Sequence, residues 1–159
     1  MPTDPPPITP PSERPRDELG RPLPPGSETR LHLPAFDLLP LDENHRLGIE
    51  FFDAGNYFGA HEAWETCWIA AKGTDEQEFF KGLAQLGAGY THWARGNAHG
   101  ADALLGRALS RIRDRGTPHR GIDIDALERL IELDRTEAAA AATEGRPLPE
   151  LGARSVPRS

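Results

Sequence analysis

The sequence has little that would hold it in a membrane or cross-link it covalently. Its 159 residues include one cysteine, Cys67, which excludes an internal disulfide framework. No run of about 18 apolar residues occurs, so no segment is predicted to span a membrane. The first residues lack the basic and apolar stretches of a secretory signal. These absences predict a cytoplasmic protein with no membrane partner.

Basic residues are also in the minority. Lysine and arginine together number 18 against 25 aspartates and glutamates, which gives a formal net charge of −7. This balance argues against nucleic acid as a general partner. Hydrophobic residues make up 37%, below the roughly 45–50% of a typical globular protein, a count that includes glycine. The shortage is concentrated at the N-terminus, where residues 1–34 contain 11 of the 16 prolines.

The proline distribution divides the chain into three parts. Residues 1–36 are predicted to be a disordered proline-rich tail, since proline disrupts helices and lacks the N–H that a sheet requires. A solubilising role and a ligand for a proline-recognising partner are both open for this tail. Residues 37–145 are predicted to form a helical domain, and residues 146–159 a flexible C-terminal tail.

The central part shows helical spacing of its apolar residues and no alternating strand pattern. Five helices are predicted, at about residues 42–54, 57–71, 74–96, 97–114 and 125–143. Asp42 is predicted to cap the first helix and Thr74 the third. Because the loops are short, successive helices should be antiparallel neighbours. The predicted fold is an all-α antiparallel bundle with helix-hairpin packing similar to that of tetratricopeptide units.

Three glycines lie inside the third predicted helix, at Gly82, Gly87 and Gly89. Each costs about 1 kcal/mol of helix propensity relative to alanine. Close approach of a neighbouring backbone would compensate for that cost. Simple tolerance in a well-packed helix is the other interpretation.

Two stretches of the chain resemble each other at an offset of 41 residues. Residues 55–61 and 96–102 both read as a helix end, a Gly-Asn turn and a new helix with small residues in its first turn. Features shared by the two copies are predicted to be architectural. The first copy alone carries His61, Glu62 and Glu65, which architecture does not require.

His61 and Glu65 are predicted to be neighbours one turn apart at the edge of the second helix's apolar face. Glu62 is predicted to point toward the polar side. An imidazole and a carboxylate at a half-buried boundary could perform acid–base chemistry, supply two metal ligands, or form a structural pair that fixes helix packing. The His-Glu-x-x-His pattern of zinc proteases does not occur, because Glu65 occupies the second histidine position.

The candidate pocket residues extend beyond this pair. The predicted pocket is lined by the following six side chains: His61, Glu62, Trp64, Glu65, Trp68 and His92. His92 is the weakest of these, since it lies opposite the apolar stripe of the third helix. His61 and Glu65 are the candidate catalytic residues and the candidate ligands of a divalent metal, and no other cofactor is predicted. Cys67 lies on an apolar face and is predicted to be a buried hydrophobe and not a nucleophile.

Residues 52–68 resemble the Phe-x-x-Gly-x-Tyr-x-x-Ala-His-Glu-x-x-Glu-x-x-Trp signature of the family called domain of unknown function 309. Phe79, Gly82 and the Arg95-Gly96-Asn97 turn resemble its following block, so the resemblance covers about residues 45–113. It implies a small, mainly helical protein and brings no established activity or residue roles. Gly59 stands where the family usually has glutamate, which removes one carboxylate from this turn.

The functional prediction is a structural or binding module with an edge lined by His61, Glu65 and Trp68. Its partner would be a small molecule or another protein, and a homodimer is left open. The alternative is a metal-dependent or acid–base hydrolase-like enzyme in which His61 is the base or ligand and Glu65 orients it.

Overall fold

A computed structural model describes residues 15–159, and within that range the fold is all-α. The helices are α1 (Leu41–Asp53), α2 (Tyr57–Ala70), α3 (Gln77–Ala94), α4 (Ala98–Ile112) and α5 (Ile124–Glu144). A short 3-10 helix at Phe36–Leu38 precedes α1, and another at Arg113–Arg115 follows α4. The described part of the chain contains isolated bridges but no strand. The predicted fold class and the order of five helices are therefore confirmed.

The repeated Gly-Asn turn starts two of these helices in the same way. Asn56 accepts a hydrogen bond from the backbone N–H of Gly59 at 2.9 Å, and Asn97 accepts one from Gly100 at 3.0 Å. The glycine before each asparagine has a left-handed backbone, which a residue with a Cβ rarely adopts. The architectural interpretation of the two similar stretches is confirmed.

Two predicted caps are wrong. Helix α1 begins at Leu41 with Pro40 in the cap position and no side-chain cap, so Asp42 lies inside the first turn. Helix α3 begins at Gln77 and not directly after Thr74. Thr74 accepts instead from the N–H of Glu76 at 3.2 Å, in a separate turn that precedes the helix. Local side-chain bonding thus competes with helix formation at this position.

Each helix packs against the next one in chain order. Helix α3 lies in the middle, with α2 on one side and α4 on the other, and it supplies more residues to the core than any other helix. Large side chains such as Phe52, Trp64, Phe79 and Tyr90 are fully buried. Removing each from water stabilises the fold by about 1.5–3 kcal/mol.

The glycines of α3 allow this close packing. A Cβ added at Gly87 would lie 2.7 Å from the backbone nitrogen of His61, and one at Gly89 would lie 3.2 Å from that of Leu105. At Gly82 it would lie 2.9 Å from the side chain of Ile112. Close approach of a neighbouring backbone is confirmed at Gly87 and Gly89, whereas Gly82 lies against side chains. The contact at Gly87 places His61 where α2 and α3 lie close together.

The described parts of the two predicted tails contact the helices. In the N-terminal segment, Arg95 donates to the carbonyl of Leu19 at 3.0 Å, and Gly20 lies against the ring of Phe58. In the C-terminal segment, Arg154 donates two hydrogen bonds to buried Asp134, at 2.9 and 3.0 Å.

Residues 1–14 of the predicted N-terminal tail lie outside the described residues. The disorder and flexibility of both tails stay predictions. Among the helices of the described range, none is long and apolar enough to cross a bilayer.

Candidate functional site

His61 is held by a hydrogen bond that crosses from α2 to α3. Its Nδ1 lies 2.9 Å from the carbonyl oxygen of Ala84. Because a carbonyl can only accept, Nδ1 carries the hydrogen and donates it, which is an assignment from the hydrogen-bond network. The other ring nitrogen, Nε2, then faces Glu65, with Oε2 at 3.3 Å. The predicted pairing of His61 with Glu65 is present, and Gly87 provides the space for it.

Glu62 joins this pair. One ligand atom from each of His61, Glu62 and Glu65 lies within 4.8 Å of the other two, and all three residues are half-buried. Glu62 was predicted to point toward the polar side of the helix. That prediction used the direction of Cβ, which does not fix where a long side chain ends. The side chain of Glu62 is long enough to bring the carboxylate back to the edge. The three residues together are called the His-Glu cluster below.

The pKa values of the cluster reflect mutual stabilisation. Burial acts most strongly on His61 and lowers its pKa, but the hydrogen bonds to Glu65 and Ala84 together outweigh burial, so the pKa lies above the ordinary value. The hydrogen bond from His61 lowers the pKa of Glu65. A proton on Nε2 is therefore shared favourably between imidazole and carboxylate.

The two tryptophans have different positions. Trp64 is fully buried, and its indole N–H donates to Nδ1 of His45 at 3.1 Å, so it belongs to the core. Trp68 lies one turn beyond Glu65, is half-buried and packs against the core. Its indole Nε1 is buried and has no hydrogen-bond partner among the described residues.

His92 lies apart from the His-Glu cluster. Its Nδ1 lies 3.0 Å from the amide nitrogen of Asn97, at the turn into α4. Burial lowers the pKa of His92, and the positive charges of Arg95 and His61 lower it further. His92 is thus close enough to sense His61 electrostatically, but it is not a member of the three-ligand group.

Cys67 is a core residue. Its side chain is fully buried and lies 3.5 Å from the carbonyl oxygen of Leu41. Burial raises the pKa of the thiol to about 12, which keeps it protonated near neutral pH. The prediction of a buried hydrophobe is confirmed.

A second polar cluster was missed by sequence reasoning. Buried His45 lies 3.0 Å from the carbonyl oxygen of Arg120, and burial lowers its pKa, so it is neutral and donates from Nε2. The carboxylate of Glu76 accepts from Nε of Arg120 at 2.7 Å and lies 2.8 Å from Nε2 of His119. These contacts join residues more than forty positions apart, and no local spacing signals them. Their donors and acceptors satisfy one another, as in a structural network.

Comparison with known protein families places this geometry in context. Residues 45–104 match the family described as Domain of unknown function (DUF309). The matched range runs from α1 into α4 and includes the whole His-Glu cluster. No curated protein matches the chain.

Proposed function

We propose that the part of the chain that matches DUF309, residues 45–104, is a binding module that takes up a divalent metal cation at its His-Glu cluster. One observation carries the proposal. The carbonyl of Ala84 fixes the ring of His61 through Nδ1 and leaves Nε2 facing carboxylate oxygens.

The donor set suits a first-row transition metal. An imidazole nitrogen with two carboxylate oxygens is typical of zinc and of related divalent ions. Histidine ligands usually donate their other ring N–H to a carbonyl or carboxylate, which fixes the tautomer and the ring orientation. The hydrogen bond to Ala84 supplies this support. Three ligands from one helix leave coordination positions for water or for a bound molecule.

In this proposal a metal ion competes with a proton. Nε2 of His61 and Oε2 of Glu65 are 3.3 Å apart, and a proton between them accounts for the raised pKa of His61. A cation would replace that proton with small movements of the two side chains. Binding should therefore release a proton and weaken as pH falls below the raised pKa of His61.

The alternative of a hydrolase-like enzyme with His61 as general base is less well supported. A general base needs a ring nitrogen with an available lone pair. Both nitrogens of His61 are engaged, one by Ala84 and one by Glu65. A metal ligand needs the same lone pair, so the cation is favoured by the third donor: an oxygen of Glu62 lies within 4.8 Å of the other two ligand atoms, which a cation would use and a general base would not.

The test is a calorimetric titration of Zn²⁺ into chelator-treated full-length protein. His61→Asn is the informative variant, since the asparagine amide N–H can replace the Nδ1 donor toward Ala84 while nothing replaces Nε2. We expect one site in the wild type and binding at least about tenfold weaker in His61→Asn and in Glu65→Gln.

The matched control is His99→Asn, which makes the same substitution at an exposed histidine of α4. It should bind like the wild type. Equal affinity in all four proteins, or no binding in the wild type, would contradict the proposal.

A further inference from the structure

The chain contains only two lysines, Lys72 and Lys81, and both contact the same tryptophan. Their Nζ atoms lie 4.9 and 5.5 Å from the centre of a Trp68 ring. Lys72 follows α2 and Lys81 belongs to α3, so two separate parts of the chain converge on this indole. The other 16 cationic residues are arginines.

Neither lysine has a carboxylate partner within the described range, whereas many of the arginines do. Arg111 pairs with Glu78 at 2.9 Å, and Arg120 pairs with Glu76 at 2.7 Å. Attraction to the indole face favours each ammonium group. It leaves the positive charge of each group without a carboxylate counterion among the described residues.

Trp68 adds a third donor without an acceptor. Its indole Nε1 is buried and makes no hydrogen bond among residues 15–159. A buried donor that loses its contact with water and gains no acceptor is costly to leave unpaired. Two ammonium groups and one indole N–H are therefore found around the same tryptophan, and the described residues supply no carboxylate partner for the ammonium groups and no acceptor for the N–H.

We infer that Lys72, Lys81 and Trp68 form a binding site for an oxyanion, the phosphate or carboxylate group of a small molecule. Lysine suits this role because its ammonium is a compact charge with three rotatable donors on a flexible stem. Charge-assisted hydrogen bonds to an oxyanion are stronger than neutral ones. An oxyanion held by the two ammonium groups would lie beside the indole ring, so the N–H signal of Trp68 would report its binding.

The site shares no residue with the His-Glu cluster, although Trp68 lies one turn beyond Glu65 on α2. The inference therefore goes beyond the proposed cation site and does not depend on it. Both sites can be tested on the same protein, and one can fail without the other.

The experiment follows the indole N–H signal of Trp68 in nitrogen-15 spectra of chelator-treated, full-length protein. Sodium phosphate and sodium acetate are titrated separately at constant ionic strength. Saturation by phosphate, by acetate or by both supports the site and identifies the group that it takes. Saturation by neither overturns the inference.

Charge-removing variants locate the effect. Lys72→Gln and Lys81→Gln should each weaken anion binding by about tenfold or more, which one lost charge-assisted hydrogen bond can produce. Arg107→Gln removes the same charge from an exposed position on α4 and should bind the anion like the wild type. Wild-type affinity in both lysine variants would show a general ionic effect and would also overturn the inference.

Discussion

Replacing Gly87 with alanine tests the close packing on which the His-Glu cluster depends. The new Cβ would lie 2.7 Å from the backbone nitrogen of His61, 2.9 Å from its Cα and 3.0 Å from its Cβ. Backbone atoms cannot move aside as a flexible side chain can, so α2 and α3 must separate locally. That separation would stretch the 2.9 Å hydrogen bond from His61 to Ala84.

The expected change in stability combines three effects. Alanine in place of glycine favours the helix by about 1 kcal/mol. Overpacking typically costs about 1–3 kcal/mol, and the weakened hydrogen bond costs about 1 kcal/mol more. Gly87→Ala should therefore lower the free energy of unfolding by about 1–3 kcal/mol, measured by urea denaturation.

Gly106→Ala is the matched control. There the new Cβ would lie 3.0 Å from the guanidinium end of Arg135, which can move away at little cost. This variant should gain up to about 1 kcal/mol from helix propensity. If Gly87→Ala also proves more stable than the wild type, the close contact between α2 and α3 at His61 does not exist as described.

Three further predictions concern other parts of the structure. Arg154→Ala should lower the free energy of unfolding by about 3 kcal/mol in urea denaturation, because it leaves the buried carboxylate of Asp134 without its cation; a loss below about 1 kcal/mol would mean that the C-terminal segment does not hold this pair. In metal-free protein the raised pKa of His61 and the lowered pKa of Glu65 should stabilise the wild type relative to His61→Asn most between their ordinary values of 6.5 and 4.5. This advantage should shrink as pH rises through the raised pKa of His61 and as it falls through the lowered pKa of Glu65, and a difference independent of pH would contradict the pairing. Cys67 should resist iodoacetamide in native protein and react in urea, as read by mass spectrometry, since its side chain is fully buried; rapid native labelling would contradict its position.

Which features could be predicted from the sequence depends on how far apart along the chain the interacting residues lie. The helices and their order could be predicted because turns and apolar spacing are local signals, and the turns at Gly55 and Gly96 repeat one pattern. The caps at Asp42 and Thr74 could not, because helix α1 starts after Pro40 and Thr74 bonds within a separate turn. The pairing of His61 with Glu65 could be predicted because it lies within one helical turn. Its orientation could not, since the carbonyl of Ala84 is 23 residues away and reaches Nδ1 only when α2 and α3 pack.

Side-chain length and long-range pairing account for the other differences. Glu62 was predicted to lie on the polar side of α2 from the direction of its Cβ, but its flexible side chain brings the carboxylate to the His-Glu cluster. The partners of Glu76 come from a loop beyond α4, 43 and 44 residues along the chain. Predictions from spacing are therefore most secure for helix positions and least secure for polar side chains that cross between elements.

Packing and ligand binding at His61 should be coupled, because one close contact serves both. Gly87 lets α2 approach α3, and that approach brings the carbonyl of Ala84 within reach of Nδ1. If the proposed cation depends on this orientation, Gly87→Ala should weaken Zn²⁺ binding to the wild-type cluster. In the His61→Asn background, where Nε2 is already lost, the same change should have little further effect on affinity.

A double-mutant cycle measures this coupling. Non-additive effects on Zn²⁺ affinity would mean that Gly87 acts through the orientation of His61, as the geometry requires. Additive effects would mean that the glycine influences the site by another route, such as the position of Glu62 or Glu65. In that case the hydrogen bond to Ala84 would serve helix packing alone, and the proposed function would lose the observation that carries it.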